Sequence, residues 1–519
     1  MNVLELSEQE IVRRNSLAEL RKMGIEPYPA EEYVVTGHTK EIKENFKDNA
    51  EPREVRIAGR IMSRRIMGKA SFMELQDSEG RIQVYISRDD LCPGEDKDTY
   101  NIFFKKLLDI GDIVGIKGFV FRTQMGEITV HAKNIKMLSK SLRPLPIVKM
   151  KDGKAYDAFE DPELRYRQRY VDLIVNDGIK DIFLQRATVL RTLRSVLDEA
   201  GYTEVETPTL QSIAGGASAR PFITHFNALD VDMYMRIATE LYLKRLIVGG
   251  FEGVYEIGKN FRNEGMDRNH NPEFTCMELY VQYKDYNWMM AFTEKLLETI
   301  CIAVNGKPER EIDGNIISFK APYRRLPILD AIKEKTGFDC NGKTEEEIRA
   351  FCKEKGMDVD ETMGKGKLID ELFGEFCEGT FIQPTFITDY PVEMSPLTKM
   401  HRSKPGLTER FELMVNGKEL ANAYSELNDP IDQEERFVEQ MRPEKVVKRD
   451  QEDAYTTLGI PAEWVAPLQK AGYLTVDSLD GANPGKVHQE ICGLNKKFKL
   501  GLTNPSVDNV AAWIDAVKK

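Results

Sequence analysis

The stretch between Val55 and Ser139 constrains the fold more than any other part of this chain. Four segments, VRIAGRIMSRRI, SFMELQDSEGRIQVYIS, DIVGIKGFVFRT and EITVHAKNIKMLS, alternate apolar and polar residues and are separated by turns that contain glycine. Alternation with a period of two is typical of strands that bury one face. The pattern predicts five short strands, with the helical segment NIFFKKLLD before the fourth. This order is typical of a small Greek-key barrel of the OB type.

The predicted barrel is locally basic, although the whole chain carries a net charge of −12. Local basic patches decide nucleic-acid binding more than net charge does. Phe72 and Gln83 lie on strands where an OB barrel offers stacking and hydrogen-bonding groups to bases, so we interpret both as base-binding residues. The alternative is that Phe72 belongs to the core and the basic residues form a solvated face. Those basic residues are Arg53, Arg56, Arg60, Arg64, Arg65, Lys69 and Arg81.

The length and composition limit the classes of protein to consider. A chain of 519 residues exceeds one ordinary domain and predicts two to four. With 41% apolar and 30% charged residues, and no run of about 18 apolar residues, it is typical of a soluble globular protein. The N-terminus lacks the apolar core of a secretory signal, and the seven cysteines form no CxxC pair. We therefore expect a cytoplasmic protein with free thiols.

The rest of the chain predicts an α+β architecture. From about residue 160 to 440, helical and strand patterns mix without a βαβ rhythm, which favours an antiparallel sheet with flanking helices. Neither GxGxxG nor GxxxxGK[ST] occurs, so the usual phosphate-binding loops are absent from the sequence. The predicted parts are an N-terminal helical segment (1–50), the OB barrel (51–145), the α+β domain (146–442) and a short helical extension (443–519).

The segment Phe261–Tyr280, FRNEGMDRNHNPEFTCMELY, has the composition of a phosphate- and ammonium-binding hairpin. Arg262 and Arg268 can bind phosphate in forked geometry, and His270 and Phe274 can hold an adenine or a phosphate. Acidic residues on the following strand can bind an ammonium group, and charges seldom fill a strand without partners. The alternative is an exposed hairpin covered by ion pairs.

The segment Arg410–Asp429, RFELMVNGKELANAYSELND, predicts a second hairpin that turns at Asn416-Gly417. The hairpin is expected to bring Glu412 and Glu419 toward each other across the sheet, where Mg2+ would offset their repulsion. Asn422 and Glu426 share one face of the strand, but Glu419 has the opposite parity. A bulge or bend must therefore intervene if all three line one pocket. Alternatively, the carboxylates face solvent.

Together these stretches resemble the class II aminoacyl-tRNA synthetases. GYTEVETPTL, with Pro208, is similar to their first motif, which builds the dimer interface, and FRNEGMDRNHNPEFTCMELY is similar to their second. A barrel that precedes the catalytic domain resembles the subgroup of aspartyl, asparaginyl and lysyl enzymes. The similarity to bacterial lysyl-tRNA synthetases is the strongest and runs from about residue 8 to Glu439, including TPTLQSIAGGASARPFITHFNALD and ELANAYSELNDP.

The resemblance implies a ligase that joins L-lysine to tRNA(Lys) through lysyl-adenylate, with ATP as substrate, Mg2+ as cofactor and a homodimeric assembly. Arg262 would be the catalytic residue, in contact with the α-phosphate and the lysine carboxylate. The implied ATP-binding residues are Arg262, Glu264, His270, Asn271, Phe274 and Glu419. The implied lysine-binding residues are Gly216, Glu240, Arg262, Glu278, Tyr280, Asn422 and Glu426. Glu412 and Glu419 would bind the metal, Phe72 and Gln83 the anticodon, and Pro208 would lie at the dimer interface.

One expected element is missing from the sequence. The third motif of the family, GxGxGxxR, should follow Glu426, but the chain runs from Gln440 directly into MRPEKVVKRD. We expect several tens of residues to be lost between about Gln440 and Pro443, and activity to be impaired. Three alternatives remain: a weak or inactive tRNA-binding or regulatory paralogue, a paralogue that lysylates a protein, and an aspartyl- or asparaginyl-type enzyme.

Overall fold

A computed structural model describes residues 6–517 except 49, 147–148, 152–153, 157–158, 214, 216–218, 268, 360–362, 441–454, 457, 474 and 499. The chain divides into two compact units, Met1–Phe183 and Leu184–Lys519. Within the described ranges, no helix is both long enough and apolar enough to cross a membrane. The predicted gap between Gln440 and Pro443 lies outside the described residues.

The first unit contains a five-stranded barrel and the helices around it. Its strands are β1 Glu54–Met67, β2 Ala70–Gln76, β3 Arg81–Ser87, β4 Ile113–Arg122 and β5 Ile128–Ser139, and its helices are α1 Glu8–Lys22, α2 Thr39–Glu44, α3 Arg88–Leu91 and α4 Thr99–Leu107. The sheet closes in the order β1-β2-β3-β5-β4, with β3 and β5 parallel and the other neighbours antiparallel. The OB-type prediction, including a helix before the fourth strand, is therefore confirmed.

The barrel strands coincide with the segments in which apolar and polar residues alternate. Alternate residues of β2 and β3 are buried, and the buried set includes Leu75, Val84 and Ile116. Helix α1 begins with a capping box between Ser7 and Glu10. At Gly118 a Cβ atom would lie 1.9 Å from the backbone oxygen of His131, so only glycine allows β4 to approach β5 this closely.

The first unit ends with a short hairpin and two short helices. These are β6 Lys149–Lys151, β7 Lys154–Tyr156, α5 Pro162–Arg167 and α6 Arg169–Val175. The arginine-rich sequence of this region converges on Asp172, which is fully buried and accepts hydrogen bonds from Arg165 Nε (2.9 Å), Asn176 Nδ2 (2.7 Å) and Arg169. A buried carboxylate with several charge-assisted partners fixes the angle between the two helices.

The second unit contains two separate main sheets. Its strands are β8 Thr203–Glu204, β9 Leu210–Gln211, β10 Ile223–Phe226, β11 Val231–Met235, β12 Gly253–Phe261, β13 Glu273–Val281, β14 Glu309–Ile312, β15 Asn315–Ser318, β16 Arg324–Pro327, β17 Thr385–Thr388, β18 Arg410–Val415 and β19 Lys418–Tyr424. One main sheet has the order β13-β12-β8 and the other β16-β17-β18-β19. Among the described residues no strand pairing joins them, so β19 is an edge strand. Leu420 on β19 is 52% exposed.

Helices cover both sheets and confirm the α+β prediction. They are α7 Ile179–Glu199, α8 Glu240–Val248, α9 Tyr286–Asn305, α10 Ile328–Thr336, α11 Glu345–Glu354, α12 Lys365–Phe376 and α13 Pro430–Gln440. Helix α9 bridges the two sheets, because its Leu296 packs with Tyr255 of β12 whereas its Met290 packs with Phe386 and Phe411 of the other sheet. Packing along this helix holds the two sheets together.

The C-terminal part is helical, as expected. It contains α14 Ala462–Lys470, α15 Pro484–Phe498 and α16 Val507–Val517. Trp464, Leu468, Ile491 and Trp513 are among the buried residues of a separate core that these helices share. The predicted helical extension therefore has its own hydrophobic centre.

Candidate functional site

The hairpin of β12 and β13 places an arginine and a phenylalanine at the mouth of its loop. Asn260 pairs with Phe274, and Arg262 N donates to Pro272 O at 2.8 Å, so the ladder extends into the loop. The Arg262 guanidinium lies 5.3 Å from the centre of the Phe274 ring. Its Nε atom is buried and has no hydrogen-bond partner among the described residues. A buried charged donor without an acceptor is costly, which makes this position suited to an anionic ligand.

The loop beyond Arg262 is organised by an aspartate that sequence reasoning did not select. Asp267 accepts hydrogen bonds from the backbone N of Asn269 (2.6 Å) and of His270 (2.8 Å), and His270 Nδ1 lies 2.8 Å from its other oxygen. The hydrogen bond with His270, followed by these backbone bonds, lowers the pKa of Asp267 to about 2. Asn271 donates to Glu273 O at 2.6 Å. His270 and Asn271 are exposed at the loop surface, as is Glu264.

Three carboxylates and two tyrosines form a second cluster, which we call the acidic pocket: Glu240, Glu278, Tyr280, Tyr424 and Glu426. Glu278 accepts from Thr239 N (3.1 Å) and Tyr280 Oη (3.2 Å), and Tyr424 Oη donates to Glu240 at 3.1 Å. Lys244 Nζ lies 2.6 Å from Glu240 and 2.8 Å from Glu426. Lys244 therefore joins the two carboxylates within the pocket.

The ionisation of this pocket follows from its burial. Burial raises the pKa of Glu426 above its usual range, against the opposing charge of Lys244. Burial, and then Glu278, also raises the pKa of Tyr280 well above 10. Burial works against the charged form of Lys244, but Glu426 and Glu240 outweigh it and raise its pKa. The pocket is built to hold a cation, since its tyrosines stay neutral and its ammonium stays charged.

The structure brings together four of the predicted lysine-binding residues, Glu240, Glu278, Tyr280 and Glu426, in the acidic pocket. Gly216 lies outside the described residues. Tyr424 and Lys244 were missed by sequence reasoning. Tyr424 follows Asn422 at the alternate position of the strand, so period-two counting could have identified it. For Lys244, the spacing of four residues after Glu240 on a helix could have predicted the ion pair between them.

The second hairpin places Glu412 and Glu419 on neighbouring strands at staggered positions. Glu412 lies directly opposite Asn422, whereas Glu419 lies opposite Met414. The register shifts between Leu413 and Met414, and this bulge returns Glu419 to the same face as Asn422, as the parity argument required. The two carboxylates therefore share a face but do not form a directly opposed pair.

The surroundings of Glu412 are partly neutralised. Arg410 Nη2 lies 2.5 Å from Glu412, and Asn422 Nδ2 donates to the same carboxylate oxygen at 3.3 Å. Burial raises the pKa of Glu412, Arg410 opposes this, and the charge of Glu419 adds to it. Among the described residues, no group of three or more His, Cys, Asp or Glu side chains could hold a metal ion.

A buried ion pair supports the strands next to these sites. Arg236 Nη1 lies 2.5 Å from Glu256 Oε1, and its Nε donates to Lys259 O at 2.8 Å. Thr207 donates to the other Glu256 oxygen at 2.6 Å. This network ties the segment before Pro208 to β12. Pro208 itself is exposed.

The first unit carries an aromatic row on its barrel. Phe72 lies 5.2 Å from the Tyr85 ring, Tyr85 lies 5.0 Å from the His131 ring, and His131 lies 4.8 Å from the Phe119 ring. All of these rings are partly exposed, and Gln83 donates to Thr129 Oγ1 at 3.0 Å beside them. Phe72 therefore faces outward rather than into the core. Sequence reasoning missed Tyr85, Phe119 and His131, whose alternation with buried residues was the available signal.

Known families match both parts of the chain. Residues 161–459 match the tRNA synthetases of class II (D, K and N), and residues 55–138 match the OB-fold nucleic acid binding domain. A lysine–tRNA ligase from Porphyromonas gingivalis (strain ATCC BAA-308 / W83) is 58% identical over 99% of this chain and 100% of its own length. A lysine–tRNA ligase from Azobacteroides pseudotrichonymphae genomovar. CFP2 is 63% identical over 85% of this chain and 88% of its own. One from Christiangramia forsetii is 64% identical over 84% and 77%.

The alignment lengths show that this chain lacks residues present in a relative. The Porphyromonas alignment spans 575 positions, whereas this chain has 519 residues, so at least 56 aligned positions have no residue of this chain opposite them. The other two alignments extend over 440 and 439 residues. Both alignment lengths are close to the 440 residues of this chain that end at Gln440.

Proposed function

The chain belongs to the class II tRNA synthetases, in their lysyl branch, and we propose that it activates L-lysine with ATP at the site formed by the β12–β13 and β18–β19 hairpins. The reaction of the family is the ATP-dependent ligation of L-lysine to tRNA. The acidic pocket is the single observation that carries the assignment to this site. A lysine ammonium requires carboxylate acceptors, and a pocket of buried acceptors rejects a substrate without the amine.

In the proposed first step, an oxygen of the lysine carboxylate attacks the α-phosphorus of ATP. The new P–O bond forms as the bond to the bridging oxygen breaks, and pyrophosphate leaves with that electron pair. The buried Nε of Arg262 supplies a donor for the α-phosphate and the attacking carboxylate, and Phe274 packs on the adenine. Catalysis by positioning and charge neutralisation needs no protein nucleophile.

The remaining predicted residues take supporting roles in this proposal. Glu264, His270 and Asn271 bind ATP from the loop. Glu240 and Gly216 receive the α-amino end of the substrate, Asn422 its carboxylate, and Glu278, Tyr280 and Glu426 its side-chain ammonium. Glu412 and Glu419 would hold Mg2+ together with the phosphates, and the ion would neutralise charge on the phosphate oxygens.

In the second step, a ribose hydroxyl at the 3′ end of tRNA attacks the carbonyl carbon of the adenylate, and AMP leaves. The barrel is proposed to bind the anticodon, with bases stacked on Phe72 and hydrogen-bonded by Gln83. We further propose that the protein is cytoplasmic and forms a homodimer with Pro208 at the interface. The partly exposed apolar residues on β9–β11, Leu210, Ile223 and Val231, support such an interface.

We also propose that activation is slow, because the sequence after Glu426 lacks the third motif of the family. The separation of the two main sheets and the open edge at β19 support this view. Loss of the arginine that motif 3 contributes would remove a charge-assisted contact to ATP. The same loss favours the second candidate, a tRNA-binding paralogue with weak or no catalysis.

Lysine-dependent ATP–pyrophosphate exchange on the purified full chain tests the proposal. We expect exchange with L-lysine, none with L-aspartate or L-asparagine, and loss of the lysine response in Glu426→Gln. A chimera that carries the missing positions of the Porphyromonas relative should exchange faster. Exchange as fast as that of the relative would refute the impairment, whereas tRNA binding without any exchange would establish the paralogue.

A further inference from the structure

Lys244 takes part in none of the roles proposed above, yet its ammonium lies inside the acidic pocket. It stands on α8 one turn after Glu240, and its Nζ contacts Glu240 at 2.6 Å and Glu426 at 2.8 Å. The same Nζ lies 5.9 Å from the centre of the Tyr280 ring and 5.7 Å from that of Tyr424. Carboxylates combined with aromatic faces are the surroundings in which proteins recognise an ammonium group.

The position of this ammonium coincides with the space that the substrate needs. The proposed function, on which this inference rests, assigns Glu240 to the α-amino end of L-lysine and Glu426 to its side-chain end. A ligand that spans these two carboxylates must pass through the space between them, and Lys244 Nζ occupies that space. Two ammonium groups in contact with Glu426 would also repel each other strongly, because part of the pocket is shielded from water.

The side chain has a way out of the pocket. Lys244 is 26% exposed, and Glu426 is 40% exposed, so one side of the cluster opens to solvent. A lysine stem can keep contact with apolar surface while its ammonium moves into water. Among the described contacts, Lys244 is bonded only to the two carboxylates, so its departure breaks the bridge between them but no hydrogen bond of its side chain to the backbone.

We propose that Lys244 is an internal substitute for the substrate ammonium, which neutralises Glu240 and Glu426 in the unliganded protein and leaves the pocket when L-lysine binds. Lys244 is therefore an affinity- and specificity-determining residue. A weakly bound monoamine or inorganic cation does not displace it, whereas L-lysine, which brings two ammonium groups and a carboxylate, does. The measured affinity for L-lysine is reduced by the fraction of molecules in which Lys244 is in place.

Titration calorimetry of L-lysine binding to the full chain tests this proposal without relying on catalysis. Lys244→Met keeps the length of the side chain and removes its charge. If Lys244 occupies the pocket about nine-tenths of the time, this variant should bind L-lysine roughly tenfold more tightly. It should also gain binding of n-butylamine. Lys343→Met is the matched control, because Lys343 forms an exposed ion pair with Glu347 outside the site.

A second measurement uses the unaltered protein and so does not depend on the variant folding. Labelling with an amine-reactive ester, read by peptide mass spectrometry, should be slow at Lys244 and should accelerate when L-lysine saturates the protein, relative to Lys343. Weaker lysine binding by Lys244→Met would overturn the proposal, and so would labelling of Lys244 that L-lysine slows. Either result would mean that Lys244 stays in the pocket and helps to hold the bound substrate. Unchanged lysine binding in Glu426→Gln would instead refute the proposed pocket itself, so the two failures are distinguishable.

Discussion

The barrel of the first unit and the sheets of the second satisfy their backbone hydrogen bonds in different ways. In the barrel, every strand has two neighbours and the sheet closes on itself. In the second unit, the described strands form two separate main sheets with β19 at an edge, and α9 links the two sheets through side-chain packing. The barrel strands all lie between Glu54 and Ser139, whereas the strands of the two separate sheets are spread from Thr203 to Tyr424. The second unit is thus where substitutions should have their largest effects.

The largest effect is expected from the buried pair that supports the second unit. Arg236→Met leaves Glu256 buried without its charged partner, and removal of one member of such a pair costs about 3–5 kcal/mol. Urea unfolding should show a weakened transition for the second unit and an unchanged transition for the barrel. An equal shift of both transitions would contradict the distinction between the two units, because it would mean that they unfold together. Arg324→Met, which breaks an exposed pair with Glu334, is the control.

The next effect concerns chemistry rather than stability. Arg262→Ala should lower lysine-dependent pyrophosphate exchange by about 10²- to 10³-fold, as expected when a preorganised donor to developing charge is removed. The melting temperature should change little, because Arg262 Nε has no partner among the described residues that its loss would leave unsatisfied. Exchange by Arg262→Ala at the unaltered rate would contradict the assigned role. Arg324→Ala should leave exchange as it is.

A smaller effect is expected on the barrel. Stacking of a base on an aromatic ring contributes about 1–3 kcal/mol, so Phe72→Ala should weaken tRNA binding by roughly 5- to 150-fold. Stability should be nearly unchanged, because the ring is partly exposed and lies outside the barrel core. Fluorescence anisotropy with labelled tRNA measures the loss. Met125→Ala, at a 94% exposed position of the same barrel, should bind normally, and equal binding by both variants would refute the base-binding role.

The smallest effect on stability is expected from a substitution on the exposed edge strand β19. Leu420→Lys places a charge on the exposed edge strand, and such surface changes alter stability by about 0.5 kcal/mol or less. The substitution should nevertheless reduce association through the edge at high protein concentration, which light scattering detects. Met125→Lys on the closed barrel should have no such effect. Association that is unaffected by Leu420→Lys would show that the open edge is protected in solution.

Sequence reasoning reached the barrel, the α+β class and the grouping of Glu240, Glu278, Tyr280 and Glu426, but not every contact among them. The barrel was accessible because a period of two is recorded in adjacent residues. The position of the bulge that turns Glu419 to the face of Asn422 could not be read from the sequence, since a single bulge residue changes every later pairing of a hairpin. The contact between Tyr85 and His131 could not be predicted locally, because the parallel pairing of β3 and β5 brings them together from distant parts of the chain.

The sequence by itself determined which segments alternate and which residue types carry charge into the strands. The tertiary structure alone decided that Glu419 returns to the face of Asn422, that Arg262 keeps a buried donor, and that Lys244 lies between Glu240 and Glu426. The physical reason is the distance along the chain over which each interaction acts. Periodicity and turn chemistry act between neighbours, whereas the partner of a buried charge is chosen by the whole packed unit, where desolvation makes each unpaired charge costly.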